Sequence, residues 1–87
     1  MESMYEIAVE VGKQLPAIWL GTASALDLSH LSQNAAVVLT RVALEDGQGV
    51  EGYVISVALS AHEHESWFWN RESGIVSGIA DTSVFDD

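Results

Sequence analysis

The chain has 87 residues and a mass of 9.4 kDa, which leaves room for one domain with one core and excludes two domains closing over a cleft. Hydrophobic residues make up 48% of it, yet 13 Asp and Glu against 3 Lys and Arg give a formal net charge of −10. We therefore predict a folded, acidic domain that repels nucleic acid and anionic lipid and attracts basic protein surfaces.

The absence of cysteine, of long apolar runs and of a signal segment excludes further classes of protein. The chain has no cysteine, and so no disulfide, no thiolate nucleophile and no Cys-ligated metal site. No apolar run approaches the roughly 18 residues that a membrane span needs. The first six residues are acidic rather than basic and no apolar signal segment follows them, so we expect a cytoplasmic protein.

The N-terminal segment predicts an amphipathic helix. Ser3 and Glu6 have the spacing of a capping box, in which each side chain binds the backbone N–H of the other residue. Apolar residues at positions 4, 7, 8, 11 and 15 share the side opposite the polar residues. Pro16 disfavours the helical conformation at Leu15, so we expect the helix to stop or kink there.

A second helix is predicted from about Ser24 to Glu45. Polar residues such as His30 and Arg41 lie on one side of a helical wheel, and leucines and valines lie on the other. The second half of this segment, 37–42, is rich in β-branched residues, which leaves a strand as the alternative.

The second half of the chain predicts strands. Residues 46–52 contain three glycines and form the clearest turn. Alternating apolar residues over 53–61 predict a strand, and 67–69 with 75–76 predict a hairpin. The expected fold is α+β, with two N-terminal helices packed on an antiparallel sheet of about three strands; an all-α bundle is the alternative. We expect residues 1–87 to form one compact domain with a short acidic tail at 81–87.

The densest group of potential metal ligands is His62-Glu63-His64-Glu65. In a strand only the two imidazoles share a face, whereas a catalytic zinc needs a third ligand, for which distant His30 is the candidate. No nucleophile, acid–base pair or phosphate loop has a convincing context. We therefore expect no enzyme activity, no cofactor and no metal site, and keep metal binding through His62 and His64 only as an alternative.

Three carboxylates at i, i+4 spacing form a row on the first helix. Glu2, Glu6 and Glu10 would lie about 6 Å apart along the axis, because the helix rises about 1.5 Å per residue. Such a row resembles the charge spacing of a nucleic-acid backbone and suits a groove lined with Lys and Arg. Acidic residues are also ordinary in a first helical turn, so stabilisation of the helix is the competing interpretation.

The aromatic run Trp67-Phe68-Trp69 predicts a contact patch. Neighbours in a strand alternate between faces, so at least one of these rings is expected to be exposed or covered by a partner. Trp anchors surrounded by Glu63, Glu65 and Glu72 would suit a protein interface.

The leading hypothesis is a protein-binding inhibitor that blocks a basic partner, either a nucleic-acid-handling protein or a toxin, by occupying its cationic surface. Small acidic domains without catalytic machinery occur, by general analogy, among phage-encoded inhibitors such as anti-CRISPR proteins and DNA mimics, and among immunity proteins. The alternative is a homodimeric structural or regulatory module that uses an exposed Trp-rich patch. Direct nucleic-acid and membrane binding are not expected. The candidate partner-binding residues are Glu2, Glu6, Glu10, Glu63, Glu65, Trp67, Trp69 and Glu72.

Overall fold

The protein is described by a computed structural model that covers residues 3–31, 34–43 and 51–79. In that part of the chain, one helix precedes four strands, so the α+β class is confirmed and the all-α alternative is wrong. No described helix has the length and the apolar composition to cross a membrane. The elements in chain order are helix α1 (Met4–Leu20) and strands β1 (Ala36–Ala43), β2 (Glu51–Ala58), β3 (His64–Asn70) and β4 (Val76–Gly78).

Helix α1 begins with the predicted capping box. The Glu6 backbone N–H donates to Ser3 Oγ at 3.1 Å, and the Ser3 N–H donates to Glu6 Oε1 at 3.1 Å. The predicted stop at Leu15 is wrong, because the helix continues through Pro16 to Leu20 and ends at Gly21, whose φ is +80°. Ile18 and Trp19 pack against the core, and this packing stabilises the last turn although Pro16 has no N–H to donate.

The predicted second helix is wrong, and the strand alternative for its second half is confirmed. Residues 36–43 form strand β1, whose β-branched side chains suit a sheet and whose backbone pairs with β2. The first half contains no helix in its described residues, 24–31 and 34–35. The Gln14 side chain on α1 holds it in place, donating to the Asp27 carbonyl at 2.8 Å and accepting from the Asp27 N–H at 2.7 Å.

The four strands form one antiparallel sheet in the order β1-β2-β3-β4. Each strand therefore neighbours the next one in sequence, as short connections favour. The three strands expected beyond the glycine turn are present, and β1 is the fourth. Most of the predicted turn at 46–52 and the predicted tail at 81–87 lie outside the described residues.

The core lies between α1 and one side of the sheet, which we call the inner face; the opposite side is the outer face. Gly12 allows close approach here, since a Cβ atom at this position would lie 2.7 Å from Val76 Cγ2. Helix α1 packs on β2, β3 and β4. The buried core consists of Ile7, Ala8, Val11 and Leu15 from α1, Tyr53, Ile55 and Val57 from β2, and Trp67 and Trp69 from β3.

Candidate protein-binding surfaces

The two predicted tryptophan anchors are core residues. Trp67 is 5% exposed and Trp69 is 1% exposed, because both lie on the inner face opposite Ile55 and Tyr53 of β2. The expectation that they form an exposed Trp-rich patch is therefore wrong. The alternation behind that expectation does hold, since Phe68 lies on the outer face and is half-buried.

The carboxylate row of α1 is partly occupied by contacts within the chain. Glu2 lies outside the described residues. The Glu6 carboxylate belongs to the capping box, and Glu10 Oε1 lies 3.0 Å from Lys13 Nζ while its Oε2 lies 3.5 Å from His30 Nε2. The hydrogen bond from Lys13 is the main reason why the pKa of Glu10 lies below its usual value. Glu10 is thus in contact with Lys13 and His30 rather than part of an open row.

Acidic residues of α1 and of the segment around the start of β3 lie at one end of the molecule. The Tyr5 ring in the first turn of α1 packs against Trp67, with 6.0 Å between centroids. Glu65 lies two residues before Trp67 in β3, at the strand end that faces the β2–β3 turn. The helix start and this turn therefore share one end, which we call the acidic end, formed by the exposed residues Glu6, Glu63 and Glu65.

Glu72 does not belong to the acidic end. It lies in the turn between β3 and β4, where its N–H donates to Asn70 Oδ1 at 2.8 Å. The adjacent Arg71 forms an ion pair with Glu51, with 2.7 Å between Nε and Oε2. The structure thus places Glu72 at the opposite end of β3 from Glu65.

All three cationic side chains of the chain have partners within it. Lys13 binds Glu10, and Arg71 binds Glu51. The Arg41 guanidinium lies over the Trp19 ring, 3.7 Å from its centroid. In the described part of the chain, neither Glu63 nor Glu65 forms an ion pair, so two carboxylates of the acidic end keep their charge uncompensated by a bound cation.

The three histidines are exposed and lie in two different parts of the structure. His30 contacts Glu10, whereas His62 and His64 lie at the β2–β3 turn and the start of β3. Among the described residues, no three His, Asp or Glu side chains come together in a group that would hold a metal ion. A third ligand for the imidazole pair is thus not found in the described ranges.

Sequence reasoning missed one surface, the outer face. The charged residues of the four strands are Arg41, Glu51 and Glu65. The strand register places all three on the inner face. The outer positions carry only uncharged residues and His64, and Val38 among them is 61% exposed. The signal was present in the alternation of 36–42 and 54–58, but the predicted helix over 24–45 concealed half of it.

No protein family, curated protein or solved structure matches this chain.

Proposed function

We propose that this chain is a small acidic protein that binds the basic surface of a protein partner through its acidic end and so blocks that surface. A partner that handles nucleic acid, or a toxin, has a surface of the required chemistry. The observation that supports this most is the uneven pairing of charge. Every Lys and Arg is engaged within the chain, while Glu63 and Glu65 have no ion-pair partner among the described residues.

Electrostatics supplies the mechanism of such an interaction. The net charge of −10 attracts a cationic surface from a distance and raises the rate of encounter. The backbone at Glu63 and Glu65 is already ordered by the β2–β3 turn and by β3, so binding has to order only the side chains. An occupied cationic surface is closed to a phosphate backbone, which needs the same Lys and Arg contacts.

The test compares two matched charge reversals. Glu65→Lys changes the acidic end, whereas Glu72→Lys makes the same substitution at an exposed position at the other end of β3. Wild type and both variants are immobilised and used to capture proteins from the native host at about 50 and about 300 mM salt, with the captured proteins identified and quantified. DNA is then added as a competitor for the captured partner.

The proposal expects a basic protein that is captured at low salt, released at high salt and displaced by DNA. Capture falls with Glu65→Lys and is kept with Glu72→Lys. Equal loss in both variants would assign the binding to bulk charge instead of the acidic end. Capture that does not respond to salt would exclude the electrostatic mechanism.

The two alternative functions have weaker support. A homodimer built on Trp67 and Trp69 lacks its contact surface, because both indoles are buried under α1. A metal-binding role rests only on the exposed imidazoles of His62 and His64.

A further inference from the structure

The outer face of the sheet is an uncharged surface on a strongly charged protein. Three side chains at its centre, Val54, Ser56 and Phe68, are half-buried, and Ser56 Oγ is hydrogen-bonded to Ser66 Oγ at 3.0 Å. Helix α1 and its core lie on the inner side, and no described helix or strand covers the outer one. One face of an antiparallel sheet is often left to solvent, but here that face carries no carboxylate in the four strands and is apolar at Val54 and Phe68.

We propose that this face packs against the outer face of a second copy of the chain, so that two sheets stack in a two-fold symmetric dimer. Each copy carries a charge of −10, so two copies attract only through a surface that brings no carboxylates together. The outer positions of all four strands meet this condition. A basic partner, in contrast, would find no carboxylate there to bind.

The geometry of stacked sheets keeps the remaining charges apart. Packed sheets lie about 10 Å from each other. Glu65 lies on the inner face of its sheet, which points away from the second copy. The two inner sides are therefore separated by more than the Debye length of about 8 Å at physiological ionic strength. Repulsion between the copies remains, but salt screens it.

The available area suits a reversible dimer. Strands β1 and β2 have eight residues each, and at about 3.4 Å per residue they span about 27 Å. With neighbouring strands about 4.8 Å apart and β4 short, the flat area is roughly 430 Å² per copy. Side chains add to this flat value, so the pair approaches the roughly 1,000 Å² that a specific interface needs.

The test is the oligomeric state of the full chain, measured by sedimentation equilibrium between about 5 and about 500 µM at low and high salt. Two variants place an ammonium on the outer face, Val38→Lys on β1 and Ser77→Lys on β4. Leu20→Lys is the control, since Leu20 is 75% exposed at the end of α1 and Val38 is 61% exposed. Circular dichroism establishes that each variant is folded.

Wild type is expected to form a dimer that strengthens as salt rises, the opposite of the salt dependence expected for a basic partner. Val38→Lys and Ser77→Lys raise the dissociation constant about tenfold or more, because an ammonium without a partner is unfavourable in an apolar interface. Leu20→Lys leaves it unchanged. The added Lys lowers the net negative charge in all three variants, so bulk charge does not explain a selective loss.

Three results would overturn the proposal. The first is a wild-type monomer at the highest concentration, which would leave the face to a different protein. The second is a dimer that survives both outer-face variants. The third is loss with Val38→Lys alone, which would assign the dimer to pairing along the free edge of β1 instead of stacking of the faces. None of these results bears on binding of a basic partner at the acidic end.

Discussion

The guanidinium of Arg41 lies 3.7 Å from the centroid of the Trp19 ring, which links the edge strand β1 to the last turn of α1. The helix itself packs on the other three strands, so this stacking is a direct connection between β1 and α1. It also turns the one charge of β1 towards the inner side. The outer positions of β1 are left without charge as a consequence.

A double-mutant cycle tests this connection. Arg41→Met removes the guanidinium but keeps an unbranched side chain, and Trp19→Leu removes the aromatic ring but keeps a smaller apolar side chain. We expect a coupling free energy of about 0.5–2 kcal/mol between them, the range of cation–π pairs from exposed to desolvated sites. Urea unfolding followed by circular dichroism of the wild type, both single variants and the double variant measures it. Additive effects would mean that the stacking contributes nothing to stability.

Replacement of the helical proline is expected to stabilise the protein. Pro16 lies in the interior of α1, where it cannot donate to the carbonyl of Gly12 and its ring crowds that carbonyl. Pro16→Ala restores the hydrogen bond, and we expect the free energy of unfolding to rise by about 1–3 kcal/mol. Thermal and urea unfolding provide the measurement. A decrease would show that the shape imposed by proline is needed for Ile18 and Trp19 to reach the core.

Two strand glycines are expected to respond differently to alanine. A Cβ atom at Gly52 would overlap the backbone carbonyl oxygen of Trp69, so Gly52→Ala forces β2 and β3 apart. We expect a loss of roughly 1–3 kcal/mol in the free energy of unfolding, as for other overpacked sites. Gly78 has open space around the same position, so Gly78→Ala should remain within about 0.5 kcal/mol of wild type. Similar unfolding midpoints for the two variants would contradict the assigned pairing of β2 with β3.

The pKa values of Glu10 and Asp27 should each depend on the hydrogen-bond donor of that carboxyl group and not on the donor of the other. The pKa of Glu10 is lowered mainly by the hydrogen bond from Lys13, and the pKa of Asp27 is lowered mainly by the hydrogen bond from the Ser29 hydroxyl. We expect Lys13→Met to raise the midpoint of Glu10 alone and Ser29→Ala to raise that of Asp27 alone. Carboxyl chemical shifts followed by NMR report both midpoints in each sample. A common shift of both groups would point to the general charge of the protein instead.

The sign of the stability change with pH follows from the same contacts. Both carboxyls have a lower pKa in the folded chain than in the unfolded chain. Their contribution is therefore present above the unfolded pKa and is lost as the pH falls through the folded pKa. Unfolding midpoints should decrease over this acidic range, and less so in the two variants. A constant midpoint across that range would contradict the contacts of Glu10 and Asp27.

The sequence predicted the carboxylates of the acidic end as binding residues, but only the structure shows which of the predicted carboxylates lie at that end. The i, i+4 spacing places Glu6 in a carboxylate row on the first helix, and the aromatic run Trp67-Phe68-Trp69 singles out Glu63 and Glu65 as its acidic neighbours. Spacing alone allows the local pair of Glu10 with Lys13, but it does not give the contact of Glu10 with His30 or the separation of Glu72 from Glu65. Glu10 meets His30 across 20 positions, and Glu72 is separated by the full length of β3.

The sequence by itself determined the acidic charge, the capped start of α1 and the alternation that makes β2 and β3 strands, since these depend on composition and on neighbours a few residues apart. Only the tertiary structure decided that 36–43 is a strand, because its apolar pattern suits a helix as well and pairing with β2 selects the strand. It also decided that Trp67 and Trp69 lie inside. Alternation puts them on one face, but only the packing of α1 on that face makes it the buried one.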